Sequence, residues 1–243
     1  MNWLVYHIVS GHAFFTGVIL IAIAAFVSTQ SKPVCRPIAS LSFVIGVIAI
    51  VISSTAISNW VYAIAAGATV AWLVPGFRKK WRIGSAIAMA SVWFVAALIE
   101  IPYHITPMLL PAPNRLITVV GDSITAGVEG DKTSATWPKI LERQHGLEIQ
   151  DISHAGDTAS LALERARTRD IKSAVVVVEI GGNDLLGSTT PAEFAHDLDA
   201  LLSHLVASER QILMFELPLP PFCHSYGRIQ RTAAVRYGVM LIP

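Results

Sequence analysis

The sequence predicts an α-helical membrane domain of four spans, followed by an α/β domain with a doubly wound parallel sheet, as in flavodoxin-like folds. Two observations predict this class. Residues 1–103 are almost wholly apolar, with six basic residues and one acidic residue, whereas residues 104–243 hold 12 basic and 16 acidic residues. In the second half, short β-branched runs alternate with helical patterns, which indicates parallel strands joined by helices. The change in composition marks a boundary between two domains.

The first half contains four apolar stretches close to the roughly 20 residues that a bilayer-spanning helix requires. They cover residues 4–27, 38–57, 60–77 and 83–103. The rings of Trp60, Trp81 and Tyr103 lie near the predicted ends, where amphipathic aromatic side chains favour the headgroup region. A buried helical core of a soluble protein is the alternative, and the near absence of charge argues against it. Residues 1–103 are therefore predicted to form a multi-pass transmembrane domain.

Basic residues predict the orientation of these spans, because Lys and Arg are retained on the cytoplasmic side. Lys32 and Arg36 lie between the first two spans, and four more basic residues lie between the last two, within 78–82. The amino terminus and the turn near Asn59 carry none. An even number of spans then places the second domain outside. We expect a protein of the cell membrane whose second domain is periplasmic or otherwise extracytoplasmic.

Four titratable side chains interrupt the apolar stretches: His7, His12, Glu100 and His104. A polar residue deep in a membrane often has a function, but these lie near predicted span ends, which favours interfacial anchoring. The two cysteines, Cys35 and Cys223, lack metal-ligand spacing, so we expect unpaired thiols and no metal site. Neither half has the basic surface that nucleic-acid binding requires.

A stiff, proline-containing linker at 104–114 is predicted to lead into the second domain, residues 115–243. Strands are predicted at 116–120, 147–152, 174–178, 212–217 and 239–242, and helices at 137–145, 159–169, 190–205 and 228–237. The unbroken apolar run of the third strand is typical of a parallel strand covered on both faces. In such sheets, binding and catalytic residues lie in loops beyond the carboxyl ends of the strands. That rule selects the loops at 121–123, 154–157 and 181–184.

The first of these loops presents Ser123 directly after a strand. A serine hydroxyl becomes an effective nucleophile when a base takes its proton, and outward N–H groups at a helix start can hold the oxyanion that forms. The second loop adds Gly156, which lets the backbone approach a substrate closely. The third adds Asn183, whose amide follows two glycines. Each loop alone is also compatible with an ordinary turn, but three at successive strand ends favour a catalytic site.

These loops resemble the sequence blocks of the SGNH hydrolases, also called the GDSL family, and above all their lysophospholipase and thioesterase branch. The run 121–127 resembles the first block, Gly156 matches the glycine of the second, and 181–184 resembles the third. The Trp137-Pro138 pair is similar to a helix start in this branch. The resemblance covers about residues 116–243 and does not extend to the membrane half.

The resemblance implies a role for each residue of the site. Ser123 would be the nucleophile, with Asp122 and Gly182 as supporting residues. The Gly156 N–H and the Asn183 side chain would form the oxyanion hole. The reaction requires neither a metal nor an organic cofactor.

Two departures from the family pattern are visible. The second block usually opens with Asn, where this chain has Asp151. The family's last block, an Asp-x-x-His that supplies the general base, does not follow the last predicted strand. His154 and His224 lie on loops at the same end of the sheet without that context, so both are interpreted as structural or surface residues. The general base is therefore unknown, and we expect the sequence to be incomplete, with the base beyond Pro243.

The leading hypothesis is a membrane-anchored esterase or lipase-like hydrolase that acts on acyl esters of lipids or acylated glycans. Acyl transfer to another alcohol is a close variant. One alternative is a non-catalytic, membrane-tethered binding module of the same fold, and another is a transporter or sensor built on the spans. An Asp-x-x-His encoded after Pro243 would favour the enzyme. The acyl chain, the alcohol and the oligomeric state are left open.

Reporter fusions test the predicted orientation. An alkaline phosphatase, which is active only after export, should be active when fused after Pro243 and silent when fused after Lys80, because short basic loops stay in the cytoplasm. Activity is measured on whole cells, with fusion levels compared by immunoblot. An inactive reporter at Pro243 together with an active one at Lys80 would reverse the orientation.

Overall fold

The structure, a computed structural model, describes residues 2–74, 79–127, 135–207 and 210–243. Contacts between residues divide the chain into two compact units. The helical unit comprises Met1–His104 with Pro218–His224, and the α/β unit comprises Ile105–Leu217 with Ser225–Pro243.

The helical unit is built from five helices within the described residues. They are α1 (Trp3–Val9), α2 (His12–Ser28), α3 (Cys35–Ile52), α4 (Asn59–Leu73) and α5 (Lys79–Glu100), and a 3-10 turn follows at Ile101–His104. The helices α2, α3 and α5 make the principal contacts of the unit, together with α4 against α5. Their apolar core includes Phe14, Ile21 and Met89, each fully buried.

Two helical segments, Cys35–Ile52 and Lys80–His104, are long and apolar enough to cross a membrane. The pair α1 and α2 is bent by 87° and adds a third candidate only if it forms one broken span. The helix α4 has 15 residues, fewer than the roughly 20 that a bilayer requires. The arrangement of four spans therefore stays a prediction. The third predicted stretch ends at Phe77, and both Phe77 and Arg78 lie outside the described residues.

The break in the first predicted span has a local cause. Gly11 adopts a left-handed φ of 76°, which interrupts the helix between α1 and α2. The buried hydroxyl of Ser53 accepts a hydrogen bond from the Phe14 N–H and donates one to the Gly11 carbonyl, both at 3.1 Å. Ser53 also ends α3, five residues before the predicted end of the second span. A pattern of apolar residues does not reveal helix ends of this kind, which depend on hydrogen bonds of a polar side chain.

The four titratable residues of the apolar stretches lie together in this unit. Glu100 is buried, and its Oε1 lies 3.5 Å from His104 Nε2. The His104 ring stacks on the His12 ring at a centroid distance of 5.8 Å, and His12 lies 6.1 Å from the His7 ring. Three α-helices (α1, α2 and α5) and the 3-10 turn therefore each contribute one residue to this polar cluster.

The α/β unit contains a five-stranded parallel sheet, as predicted. Its strands are β1 (Leu116–Gly121), β2 (Glu148–Asp151), β3 (Val175–Glu179), β4 (Gln211–Phe215) and β5 (Met240–Ile242). The strand order β2-β1-β3-β4-β5 is that of flavodoxin-like, doubly wound folds. In the register, Gly121 at the end of β1 pairs with Glu179 at the end of β3.

Helices cover this sheet and leave its carboxyl ends for loops. They are α6 (Ser123–Ala126), α7 (Trp137–His145), α8 (Ala159–Arg167), α9 (Gly182–Leu186), α10 (Pro191–Leu205) and α11 (His224–Tyr237). A capping box between Thr190 and Glu193 begins α10, and the apolar face of that helix is fully buried. The short helices α6 and α9 were not predicted, and α11 begins four residues before its predicted start at Arg228.

The crossing of α2 and α3 offers a test of the helical unit. A methyl group on Gly17 would lie 2.6 Å from the Gly46 carbonyl oxygen, whereas one on Gly67 of α4 would meet no atom within 4 Å. Gly17→Ala should therefore lower the Tm, because the two backbones must separate. Gly67→Ala should leave the Tm unchanged or raise it slightly, since Ala is the better helix former.

Circular dichroism of the full chain in detergent micelles measures both Tm values. Equal stability of the two variants would show that the close approach of α2 and α3 is not required for packing.

Candidate active site

Three loops meet beyond the carboxyl ends of the strands, a region called here the carboxyl edge. The Asp122 N–H donates to the Glu179 carbonyl at 3.2 Å, which joins the ends of β1 and β3. The His154 N–H donates to the Gly121 carbonyl at 3.1 Å, which brings in the loop after β2. The three predicted loops are therefore neighbours, as the parallel topology requires.

Asp122 holds Ser123 at the start of α6. The Asp122 carboxylate is 2% exposed, and its Oδ1 accepts a hydrogen bond from the Ile124 N–H at 2.9 Å. This is the N-cap interaction that satisfies a free donor at a helix start. The four-residue helix leaves Ser123 half-buried at its first position. The supporting residue that the resemblance implied thus contacts the turn that carries the serine.

Gly121 allows this turn to fold tightly against the sheet. A methyl group built on Gly121 would lie 2.5 Å from the hydroxyl oxygen of Thr125 and 2.7 Å from its Cβ. Any larger residue would push Thr125, and with it α6, away from the end of β1. The need for glycine here is one of space, since its backbone conformation is that of an ordinary strand.

The Asn183 side chain links the other two loops. Its Nδ2 donates to the Asp157 carbonyl at 2.9 Å and lies 3.4 Å from Oδ2 of Asp122. Gly182 permits the approach, because a methyl group there would lie 3.1 Å from the same Asp122 oxygen. Asn183 is half-buried at the start of α9, so its amide is oriented by both neighbouring loops.

Gly156 lies in the loop after β2 with a left-handed φ of 86°, and a methyl group built on it would meet no atom of the described residues within 4 Å. Among the described residues, no acceptor is bonded to the Gly156 N–H. The loop is anchored on either side of it: the Asp157 N–H donates to the His154 carbonyl, and Arg165 donates to the Asp157 carboxylate at 2.7 and 3.0 Å. The geometry leaves the Gly156 amide exposed within an anchored loop.

Two carboxyl groups at this edge were missed by the sequence analysis. Asp184 is buried, and its Oδ2 accepts a hydrogen bond from the Ala159 N–H at 2.9 Å, so the third loop supports the start of α8. Burial raises the pKa of Asp184. Glu179 ends the apolar strand β3, and its Oε2 accepts a hydrogen bond from the Thr125 hydroxyl at 2.8 Å. Burial raises the pKa of Glu179 to about 7, and the charge of Asp122 adds to the effect.

Among the described residues, no hydrogen bond joins Ser123 to either of the histidines considered as a base. His154 is exposed, with Nδ1 3.5 Å from the Asp157 carboxylate. His224 begins α11, and its Nε2 lies 3.1 Å from the Ser53 carbonyl within the helical unit. Asp151, which stands where the family has Asn, accepts a hydrogen bond from the Ser153 N–H in its own loop. The location of the base stays a prediction.

Known proteins similar to this chain match its second half. A sequence model of the GDSL-like Lipase/Acylhydrolase family matches residues 119–241. Esterase TesA of Pseudomonas aeruginosa is 29% identical over 144 residues, which cover 54% of this chain and 71% of the relative. Thioesterase 1/protease 1/lysophospholipase L1 of Escherichia coli K12 is 31% identical over 136 residues, which cover 52% of this chain and 65% of the relative.

A solved structure is similar over the same half. The esterase AlinE4, described as a SGNH-hydrolase family esterase, is 29% identical with a TM-score of 0.47, covering 55% of this chain and 78% of that chain. This chain spans less than two thirds of the Escherichia coli relative's length.

The family match runs from β1 into β5 and takes in half of the chain. It includes the Ser123 turn, the Gly156 loop and the Gly181–Asp184 loop, which the hydrogen bonds of Asp122, Asn183 and Asp184 tie together. The sequence blocks and the sheet that positions them thus lead to the same assignment. The chain belongs to the GDSL-like lipase/acylhydrolase family.

Proposed function

We propose that this protein is a membrane-anchored serine ester hydrolase that acts on acyl esters through Ser123. The observation that carries the proposal is the convergence of three loops around the Asn183 amide. One loop supplies a hydroxyl at a helix start, one supplies a backbone N–H that has no acceptor among the described residues, and one supplies an oriented side-chain amide. A nucleophile beside two hydrogen-bond donors is what attack on an ester carbonyl requires.

The reaction would proceed through an acyl-enzyme. Ser123 Oγ attacks the ester carbonyl carbon while its proton passes to a general base, which leaves a negatively charged carbonyl oxygen. That oxygen would be held by the Gly156 N–H and by Asn183 Nδ2. Collapse of the intermediate breaks the ester C–O bond, and the alcohol departs with the proton. Water then attacks the acyl-enzyme in the same way and releases the acid and free Ser123.

The donors differ in how they become available. The Gly156 N–H has no acceptor among the described residues, whereas Asn183 Nδ2 already donates to the Asp157 carbonyl. Its second contact, 3.4 Å from Asp122, exceeds the usual hydrogen-bond length and is the more easily replaced by an oxyanion. The Asp157 bond would then keep the amide oriented during the reaction.

Membrane anchoring and substrate class belong to the same proposal. Two apolar helices of sufficient length support an anchor, and the basic loops of the sequence favour a hydrolase domain outside the cytoplasm. This orientation would give the hydrolase domain access to acylated lipids or acylated glycans on the extracytoplasmic side of the cell membrane. The esterase and thioesterase names of the similar proteins support acyl esters as the class. Acyl transfer to a second alcohol would use the same acyl-enzyme.

The predicted base is the remaining component. A histidine oriented by a carboxylate would take the Ser123 proton, and its position stays a prediction.

A covalent probe tests the nucleophile. A fluorophosphonate should label Ser123 and no other serine, because we propose that only this hydroxyl, at the start of α6, reacts beside oxyanion donors. Mass spectrometry of the labelled peptide locates the site, and Ser123→Ala should abolish the label. A label elsewhere, or one that persists in Ser123→Ala, contradicts the assignment, and a folded protein without label or turnover favours the binding module.

Loss of one oxyanion donor gives a second test. Asn183→Ala should lower kcat by about 10²–10³-fold, the scale observed when such a donor is removed. Thr190→Ala is the matched control: it removes the cap of α10, which costs about 1 kcal/mol of stability, without touching the site. Steady-state hydrolysis of a p-nitrophenyl ester and thermal melts measure both variants. A loss of less than about threefold in Asn183→Ala would assign Asn183 to the turn alone.

A further inference from the structure

We propose that Glu179 is a positioning residue for Ser123, and that it fastens the serine-bearing turn to the sheet through Thr125 and Asp122. The inference rests on the proposed function, because the turn it positions carries the proposed nucleophile. Glu179 itself has no role in bond making or breaking.

The Thr125 side of this arrangement is a chain of hydrogen bonds. The Thr125 hydroxyl donates to Glu179 Oε2 at 2.8 Å and accepts from the Trp137 Nε1–H at 3.2 Å. A hydroxyl has one proton to donate and lone pairs to accept with, so both partners are satisfied at once. Thr125 is fully buried in α6, two residues after Ser123. Glu179 thus fixes the middle of the four-residue helix.

The Asp122 side brings a second carboxyl group close to the first. The Asp122 N–H donates to the Glu179 carbonyl at 3.2 Å, and the Asp122 carboxylate is close enough to raise the pKa of Glu179 through its charge and a side-chain hydrogen bond. Two ionised carboxylates close to each other would repel one another. A protonated Glu179 instead donates to the Asp122 carboxylate while still accepting from Thr125. The neutral acid therefore joins both the cap of α6 and its interior.

The protonation state follows from the surroundings. Burial, followed by the charge of Asp122, raises the pKa of Glu179 to about 7. The groups that interact with its carboxyl group are Asp122 before α6 and Thr125 in α6, and the Trp137 indole at the start of α7 reaches it only through Thr125. Among the described residues, no cation forms an ion pair with Glu179. On β4, the Phe215 ring packs against Trp137. Glu179 is therefore neutral below pH 7 and becomes ionised as the pH rises through it.

The linkage to stability has a definite sign. The folded-state pKa lies above the ordinary value of 4.5, so the stabilisation is complete below pH 4.5 and is lost as the pH rises through about 7. Glutamine at position 179 has the shape of the neutral acid. Its Oε1 can accept from Thr125 and its Nε2 can donate to Asp122 at every pH. Alanine offers neither group.

Activity measurements on the full chain in detergent compare Glu179→Gln and Glu179→Ala with the wild type, and Glu148→Gln serves as control. Glu148 is exposed at the start of β2, at the opposite end of the sheet. At pH 6, we expect Glu179→Gln to keep kcat within about threefold of the wild type. Glu179→Ala should lose about 10–10²-fold, because a displaced nucleophile reacts poorly.

The pH dependence separates positioning from simple packing. The ratio of Glu179→Gln activity to wild-type activity should rise as the pH passes through about 7, because only the wild type ionises. The ionisation of the general base affects both proteins equally and therefore cancels in this ratio. The corresponding ratio for Glu148→Gln should not change with pH. The Trp137 indole N–H resonance, assigned with Trp137→Phe, should titrate with the same midpoint in the wild type and stay fixed in Glu179→Gln.

The outcomes distinguish this inference from the proposed function. An active wild type with a flat activity ratio, or with a Trp137 resonance that does not titrate, would overturn the positioning role and leave the esterase intact. A wild type with neither turnover nor a Ser123 label would overturn the esterase, and the positioning role with it. A rising ratio with a matching Trp137 titration supports the inference.

Discussion

The site depends on one buried carboxylate, that of Asp122. One of its oxygens caps the helical turn that carries Ser123, and the other faces the Asn183 amide and the Cα of Gly182. A buried charge is tolerated only where hydrogen bonds compensate for its lost hydration. The first and third loops supply those donors, so the carboxylate requires both loops in place. The geometry around Ser123 therefore depends on the hydrogen bonds that compensate the buried carboxylate of Asp122.

The sequence could predict which loops meet, because the rule for parallel strands needs only the order of strands and helices. Ser123, Gly156 and Asn183 each follow a strand, and the structure brings their loops together. It could not predict Glu179 or Asp184 as parts of the network. A carboxylate at the end of an apolar strand looks like any polar strand terminus, and only the distance between its oxygen and Thr125 reveals the contact. The departure of α11 from its predicted start has a similar origin, since His224 and Ser225 carry no strong helix signal.

The helical unit shows the limit of an apolar pattern. Counting apolar residues identifies each stretch, but a helix ends where a side chain replaces the hydrogen bonds within the helix as the partner of a backbone group. Ser53 provides such a partner twice, for the Phe14 N–H and the Gly11 carbonyl, and it lies within a stretch that the pattern treats as continuous. The cluster of Glu100 with three histidines is likewise invisible to sequence spacing, because His7 and His12 are far from His104 in the chain.

The bond from the Ala159 N–H to Asp184 has a consequence for how such a domain can vary. It makes the first turn of α8 depend on a side chain from the loop after β3. Replacing either the start of α8 or that loop alone would leave the buried Asp184 carboxylate without this hydrogen bond. Among the described residues, the hydrogen bonds that join the three loops have both partners within the run from Gly121 to Asp184. Recombination between relatives should therefore succeed when this run is inherited whole, and viable crossover points should cluster outside it.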